Sequence, residues 1–151
     1  MARVFGTLTA AAAVACAAGV AKTVLQAVAG SNHRAVICSW GVSFNGVSGV
    51  ATPVLVETIR QTDAGTGTGV SPIKVNATDD ETIVTQGISN CSAEPAGTTA
   101  ISRVLVHPQG GFQETFPFGQ EVGLTGSALR FGIRVTAPAN VDCVPYIRFE
   151  E

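Results

Sequence analysis

The sequence predicts an all-β chain, a jelly-roll-like antiparallel β-sandwich forming one domain over residues 1–151. Three observations predict it. From residue 22 onward, apolar and polar residues alternate with period two in most segments, the rhythm of a half-buried strand. Clusters of Gly, Pro, Asn and Ser punctuate these segments at roughly 8–12-residue spacing, as in sandwiches and barrels. No long amphipathic helical pattern and no internal repeat competes with that rhythm.

The elements follow in chain order. "KTVLQAVAG" is a first clear strand, closed by Gly30. "HRAVICSWGVSFNG" alternates, placing Val36, Cys38, Trp40, Val42 and Phe44 on a core face, with Ala35, Ser39, Gly41 and Ser43 opposite. Apolar Ile37 is the one residue that breaks this pattern. "NG" at 45–46 signals a turn, although the "VSGVATP" after it makes a loop longer than a tight hairpin. "PVLVETIRQTDAG" is the next strand. Residues 63–99 are loop-rich, with short strand candidates at 70–75, 82–85 and 87–91. "AISRVLVH", "GFQETFPF", "EVGLTG", "LRFGIRVTAP" and "VDCVPYIRFE" complete a set of nine or ten strands, separated by "PQGG", "FGQ", "GSA" and "APAN".

The first residues, 1–21, admit three readings. Arg3, an apolar run and the small residues "ACAA" before Gly19 have the layout of a secretion signal. Alanine favours helix, but a helix here lacks any charged face and needs burial all round. A small-residue strand or arm, turning at "AAGVAK" into "TVLQAVA", agrees best with an all-β domain. No other run approaches the roughly 18 apolar residues of a membrane helix, so no membrane partner is expected.

Composition narrows function. Charged residues make up only 13% of the chain, with net charge −2, against roughly 25% in an average soluble domain. A chain so poor in charge covers its surface with Thr and Ser or hides surface in an assembly, which points to a permanent partner. Arg3, Arg34, Arg60, Arg103, Arg130, Arg134 and Arg148 are scattered singly, so no basic stripe for nucleic acid exists. Asp79, Asp80 and Glu81 lack the spacing of a calcium loop. Cys16, Cys38, Cys91 and Cys143 contain no Cys-x-x-Cys pair; free buried thiols are the simplest expectation, with Cys38 and Cys143 the pair to check for a disulfide.

Catalytic patterns are thin. His33 reads as an exposed loop residue and His107, before Pro108, as a strand end. No serine sits in Gly-x-Ser-x-Gly. Glu57, Glu114 and Glu121 could supply a carboxylate pair, yet Glu57 and Glu114 fall on strand positions expected to face solvent. "GTGTG" at 65–69 lacks the lysine of a phosphate loop. No catalytic, cofactor-binding or metal-binding residue is assigned, and no cofactor is expected.

The quoted segments do carry a resemblance. The ending "HPQGGFQETFPFGQEVGLTGSALRFGIRVTAPANVDCVPYIRFEE", with "HRAVICSWGVSFNG" and "PVLVETIRQTDAG", resembles small all-β head decoration (cement) proteins of tailed bacteriophages. The resemblance spans nearly the whole chain by pattern, without a ligand motif. It implies a non-enzymatic virion protein, made in the host cytoplasm and placed on the outside of the head. There it would assemble as a homotrimer and bind the major capsid protein. It also implies that the first residues stay in the fold. Residues 1 to about 20 are then the candidate arm or edge strand toward a neighbour, with Val4, Phe5, Leu8 and Val14 as its interface residues. A tail or fibre component and a secreted binding module are the other classes compatible with this sequence.

Overall fold

The structure, a computed structural model, describes residues 3–46 and 52–151. The first part of the predicted "VSGVATP" loop lies outside the described residues. Among the described residues the chain forms thirteen strands: β1 (Phe5–Thr9), β2 (Val14–Cys16), β3 (Ala21–Val28), β4 (Arg34–Gly46), β5 (Val54–Gln61), β6 (Thr66–Val70), β7 (Ile73–Lys74), β8 (Gln86–Ala93), β9 (Thr99–Val106), β10 (Gly111–Thr115), β11 (Val122–Thr125), β12 (Arg130–Thr136) and β13 (Val141–Glu150). They make two antiparallel sheets packed face to face. Sheet A runs β10-β4-β13-β1-β7, with β11 also on β4 and β2 also on β13; sheet B runs β6-β8-β3-β12-β5-β9. The predicted β-sandwich is the observed fold. The strand count exceeds the expected nine or ten because residues 1–21 and 63–99 each hold short strands. Residues 82–85 are not a strand, and Asn45–Gly46 end β4 instead of turning.

The core lies between the inner faces. Trp40, Phe131, Phe149, Leu25, Ile133 and Ile147 are among its fully buried side chains, each contributing roughly 1.5–3 kcal/mol by leaving water. Long β4 does not keep one face inward throughout. Ser39 pairs with Arg148 but Ile37 pairs with Phe149, so Cys38 is an extra, bulged residue. A bulge of this kind inverts side-chain parity. Trp40, Val42 and Phe44 point inward after it, whereas Ala35 and Ile37 point inward before it. Val36 and Cys38 are therefore only half-buried, not on the core face as alternation predicted. The anomalous Ile37 was the signature of the bulge. The same residue divides the neighbouring edge: β10 ends at Thr115 opposite Ser39, and β11 begins at Val122 opposite Ile37.

The first residues are strands β1 and β2, both paired to β13. Gly6 lets the sheet close there, because the ring of Phe149 occupies the space of a side chain, with Cε1 and Cε2 2.9 Å from where a Cβ would sit. Pro145 falls at the break between β1 and β2, a place that suits a residue unable to donate a hydrogen bond.

Candidate functional site

Of the connections that cross from one sheet to the other, four lie between strand ends that meet: 17–20, 47–53, 107–110 and 137–140. Register puts them at the same end of the sandwich. Val141 pairs with both Cys16 and Gly46, and Thr136 with both Ala21 and Leu55. Val54 faces Val106, and Gly111 faces Ser43. The connections also hold one another: Gly19 N donates to Ala137 O (2.7 Å), Gly46 N to Pro108 O (2.8 Å) and Ala18 N to Asn140 Oδ1 (2.9 Å). Their sequences are AAGV, VSGVATP, HPQG and APAN, without one Asp, Glu, Lys or Arg. A cleft of about 440 Å³ opens among them, lined by Ala18, Gly46, Val54, Pro108, Pro138 and Val141 and their neighbours.

The opposite end is different. Arg3, Arg34, Glu121, Glu150 and Glu151 surround a second cleft of about 590 Å³. Arg3 pairs with Glu150 at 2.9 Å, and His33 Nδ1 stands 3.4 Å from Glu151. The side chain of Glu151 is buried and accepts hydrogen bonds from Val84 N and Thr85 N. Phe118 stands at the edge of this cleft, 95% exposed.

The outer face of sheet A adjoins both ends. It carries Ser39, Gly41, Ser43, Thr7 and Thr9, with the Tyr146 ring lying across Gly41, whose missing side chain leaves the room. Its β1–β7 margin exposes Phe5, Ile73 and Val75 together; Thr7 pairs with Ile73, and Val75 N donates to Phe5 O at 2.8 Å. Of the four residues expected at an interface, only Phe5 is exposed. Val4, Leu8 and Val14 are 0–2% exposed in the chain's own interior, so their side chains have no surface to offer a neighbour. The reason is that β1 and β2 are built into sheet A, not held out as an arm.

The candidate catalytic carboxylates are not brought together. Glu57 points to the outer face of sheet B but is buried, held between its two cross-strand neighbours. Arg103 Nε lies 2.7 Å from Oε1, and Arg134 reaches Oε2 through Nη2 at 2.7 Å and Nε at 2.8 Å. Glu114 turns toward the core margin, where Oε2 accepts the Trp40 indole N–H at 2.8 Å. Both were expected to face solvent, and both are instead satisfied structural carboxylates. Glu121 accepts Gly119 N at 2.6 Å in a turn. A second polar cluster lies beneath residues 62–66 and Glu94. Gln26 Nε2 donates to Gln61 Oε1 (2.7 Å), Gln61 Nε2 to Thr23 Oγ1 (3.0 Å), and Thr23 Oγ1 to Glu94 Oε2 (2.9 Å). Every hydrogen-bonding group in that chain has a structural use.

All four cysteines are free; Cys38 is half-buried and the others are buried. Burial pushes the thiols of Cys16 and Cys91 up to about 11, raises Cys143 further with Cys16 beside it, and raises Cys38, where Glu150 and Glu121 add to the effect. Such thiols stay protonated at neutral pH and are poor nucleophiles. Among the described residues no group of three His, Cys, Asp or Glu side chains is placed to hold a metal ion, and no helix is long and apolar enough to cross a membrane. His107, just past the end of β9, accepts Gln109 N through Nδ1. No protein-family model, curated protein or solved structure matches the chain.

Proposed function

We propose that the chain is a non-enzymatic structural protein of a bacteriophage virion. In this reading it is a decoration protein that forms a homotrimer on the outside of the head and binds the major capsid protein. The observation that carries the reading is the distribution of charge over the sandwich. The described residues lining the cleft at one end carry no ionised side chain, whereas the cleft at the other end is ringed by Arg3, Arg34, Glu121, Glu150 and Glu151; the outer face of sheet A sets Ser, Thr and Gly beside Asp142, Arg148 and Glu150. Surfaces depleted of charge and dotted with exposed Phe, Ile and Val suit lasting protein contacts. The similarity of the β-strand segments to phage head decoration proteins supplies the context. The shell contact is assigned to the outer face of sheet A around Phe5, Ile73 and Val75. A protein that binds only the assembled shell stabilises it by mass action, and three linked copies turn weak contacts into avidity.

The test uses expanded, DNA-free heads of the phage that encodes this chain, prepared without it. The expected result is saturable co-sedimentation and a higher disassembly temperature for the decorated heads. Phe5→Asp should weaken binding by about tenfold or more, equivalent to about 1.4 kcal/mol. Failure to co-sediment at a concentration of about 10 µM, where contacts of about 8 kcal/mol would register, refutes the decoration role.

A further inference from the structure

Phe118 is the most exposed large hydrophobic side chain described, at 95%, and it is not loosely held. Pro117 to Gln120 form a tight turn, closed by Gln120 N donating to Pro117 O at 2.9 Å. Gly119 takes a φ of 85° that a side chain would resist, and its N–H is fixed by the Glu121 carboxylate. Just before the turn, Phe116 N donates to Cys38 O at 2.9 Å, and the Phe116 ring packs edge-on against Phe131 with centroids 6.5 Å apart. The fold thus holds a phenyl ring out in water on a rigid base. Such pre-ordering removes much of the entropy that an exposed aromatic would otherwise lose on binding.

A matching cavity exists on the same chain. The cleft of about 440 Å³ among the four connections is apolar and lined by Ala18, Val54, Pro108, Pro138 and Val141. It is within the size range of about 300–1,000 Å³ that accepts drug-sized groups, with room for a phenyl ring. Knob and cavity lie toward opposite ends of β4: Phe118 flanks the cleft beside Arg34 and Val36, whereas Gly46 lines the apolar one. One chain cannot fill its own cavity. The described residues lining the socket carry no ionised side chain, and the turn that bears the knob reads Pro-Phe-Gly-Gln, with Arg34 and Glu121 on its flank.

We infer that Phe118 of one copy inserts into the apolar cleft of a second copy, making a head-to-tail contact between chains. A knob and a socket at different places on one surface give a heterologous interface, which closes into a ring when the rotation allows and otherwise grows into a filament. The inference rests on the homotrimer of the proposed function, for which it supplies the contact, and is independent of the shell.

The test is native mass spectrometry, with light scattering, on the full chain in the absence of heads. The wild type should form a closed oligomer, with a trimer as the expected ring. Phe118→Asp should remove the knob and weaken association by about 30-fold or more, the mark of a hot spot. Ala18→Asp and Ala139→Asp, both on the cleft lining, should each spoil the socket to the same extent, and circular dichroism checks that all three remain folded. The distinguishing experiment mixes Phe118→Asp with Ala18→Asp. Each lacks a different half of the contact, so the mixture should form 1:1 heterodimers that neither variant forms alone. A wild-type oligomer that survives all three substitutions overturns the knob and socket but leaves the trimer standing. A monomeric wild type overturns both, while co-sedimentation with heads judges the shell contact separately.

Discussion

The buried carboxylate of Glu57 gives the sharpest test of how sheet B is held together. It receives three short contacts from two arginines, at 2.7, 2.7 and 2.8 Å, but the arginines differ. The side chain of Arg103 is 65% exposed, that of Arg134 only 21%, and that of Glu57 4%. Hydrogen bonds to charged groups are worth about 1.5–3 kcal/mol when desolvated, whereas an exposed ion pair contributes about 0–1 kcal/mol. Replacing Glu57 by Gln keeps the shape and leaves Arg134 facing a neutral amide in a largely dry setting. Breaking one side of a buried pair costs about 3–5 kcal/mol; the partial exposure of Arg134 and the retained amide oxygen put Glu57→Gln near the lower end, about 3 kcal/mol. Arg103→Ala should cost less than about 1 kcal/mol, with Arg134→Ala between them. Urea unfolding at neutral pH, analysed at constant m, measures all three. If Arg103→Ala proves as damaging as Glu57→Gln, or if Glu57→Gln costs less than about 1 kcal/mol, the desolvated triad is not what stabilises this face.

Two further outcomes follow from the same structure. Gly6→Ala forces a methyl group against the Phe149 ring in the middle of sheet A; overpacking of this kind costs about 1–3 kcal/mol and should lower Tm by several degrees, so an unchanged Tm would contradict the close approach. Alkaline pH should also destabilise the fold: with folded thiols of Cys16 and Cys91 near 11 against an ordinary value of 9.0, the unfolded chain loses these protons first. Stability from these thiols is therefore full below about pH 9 and lost as pH rises through about 11. Cys91→Ala should flatten that decline, and an identical alkaline profile in the variant would show that its burial does not drive the effect.

How far the sequence spoke depended on whether local pattern and tertiary context agreed. Alternation in "LRFGIRV" and "VDCVPYIRF" translated directly into β12 and β13, because both are central strands with one face on the core. In β4 the same rule assigned Val36 and Cys38 wrongly, since a one-residue bulge reverses parity without any turn residue to announce it. Glu57 and Glu114 were legible as strand residues but not as a buried and a half-buried carboxylate; their arginine and tryptophan partners come from strands far away in sequence. Val4, Leu8 and Val14 looked available because an alanine-rich segment offers no sign of the β13 partner that covers it. The cleft without ionised lining was present in the sequence only as short segments far apart along the chain. Only the register of the strands shows that they meet.

The central strands β12 and β13, which follow nearly all their partners in sequence, have a consequence for synthesis. β12 is the sole strand joining β3 to β5 in sheet B, and β13 the sole strand joining β4 to β1 and β2 in sheet A. Before residues 130–150 leave the ribosome, neither sheet is continuous, and the nascent chain can form only separate small sets such as β6-β8-β3, β5-β9 and β10-β4-β11. Each set has open edges and half a hydrophobic face, and pairing at such long sequence separation is slow. Joining of the sheets is thus deferred until residues 130–150 have emerged, and that segment acts as a double zip that joins both layers together.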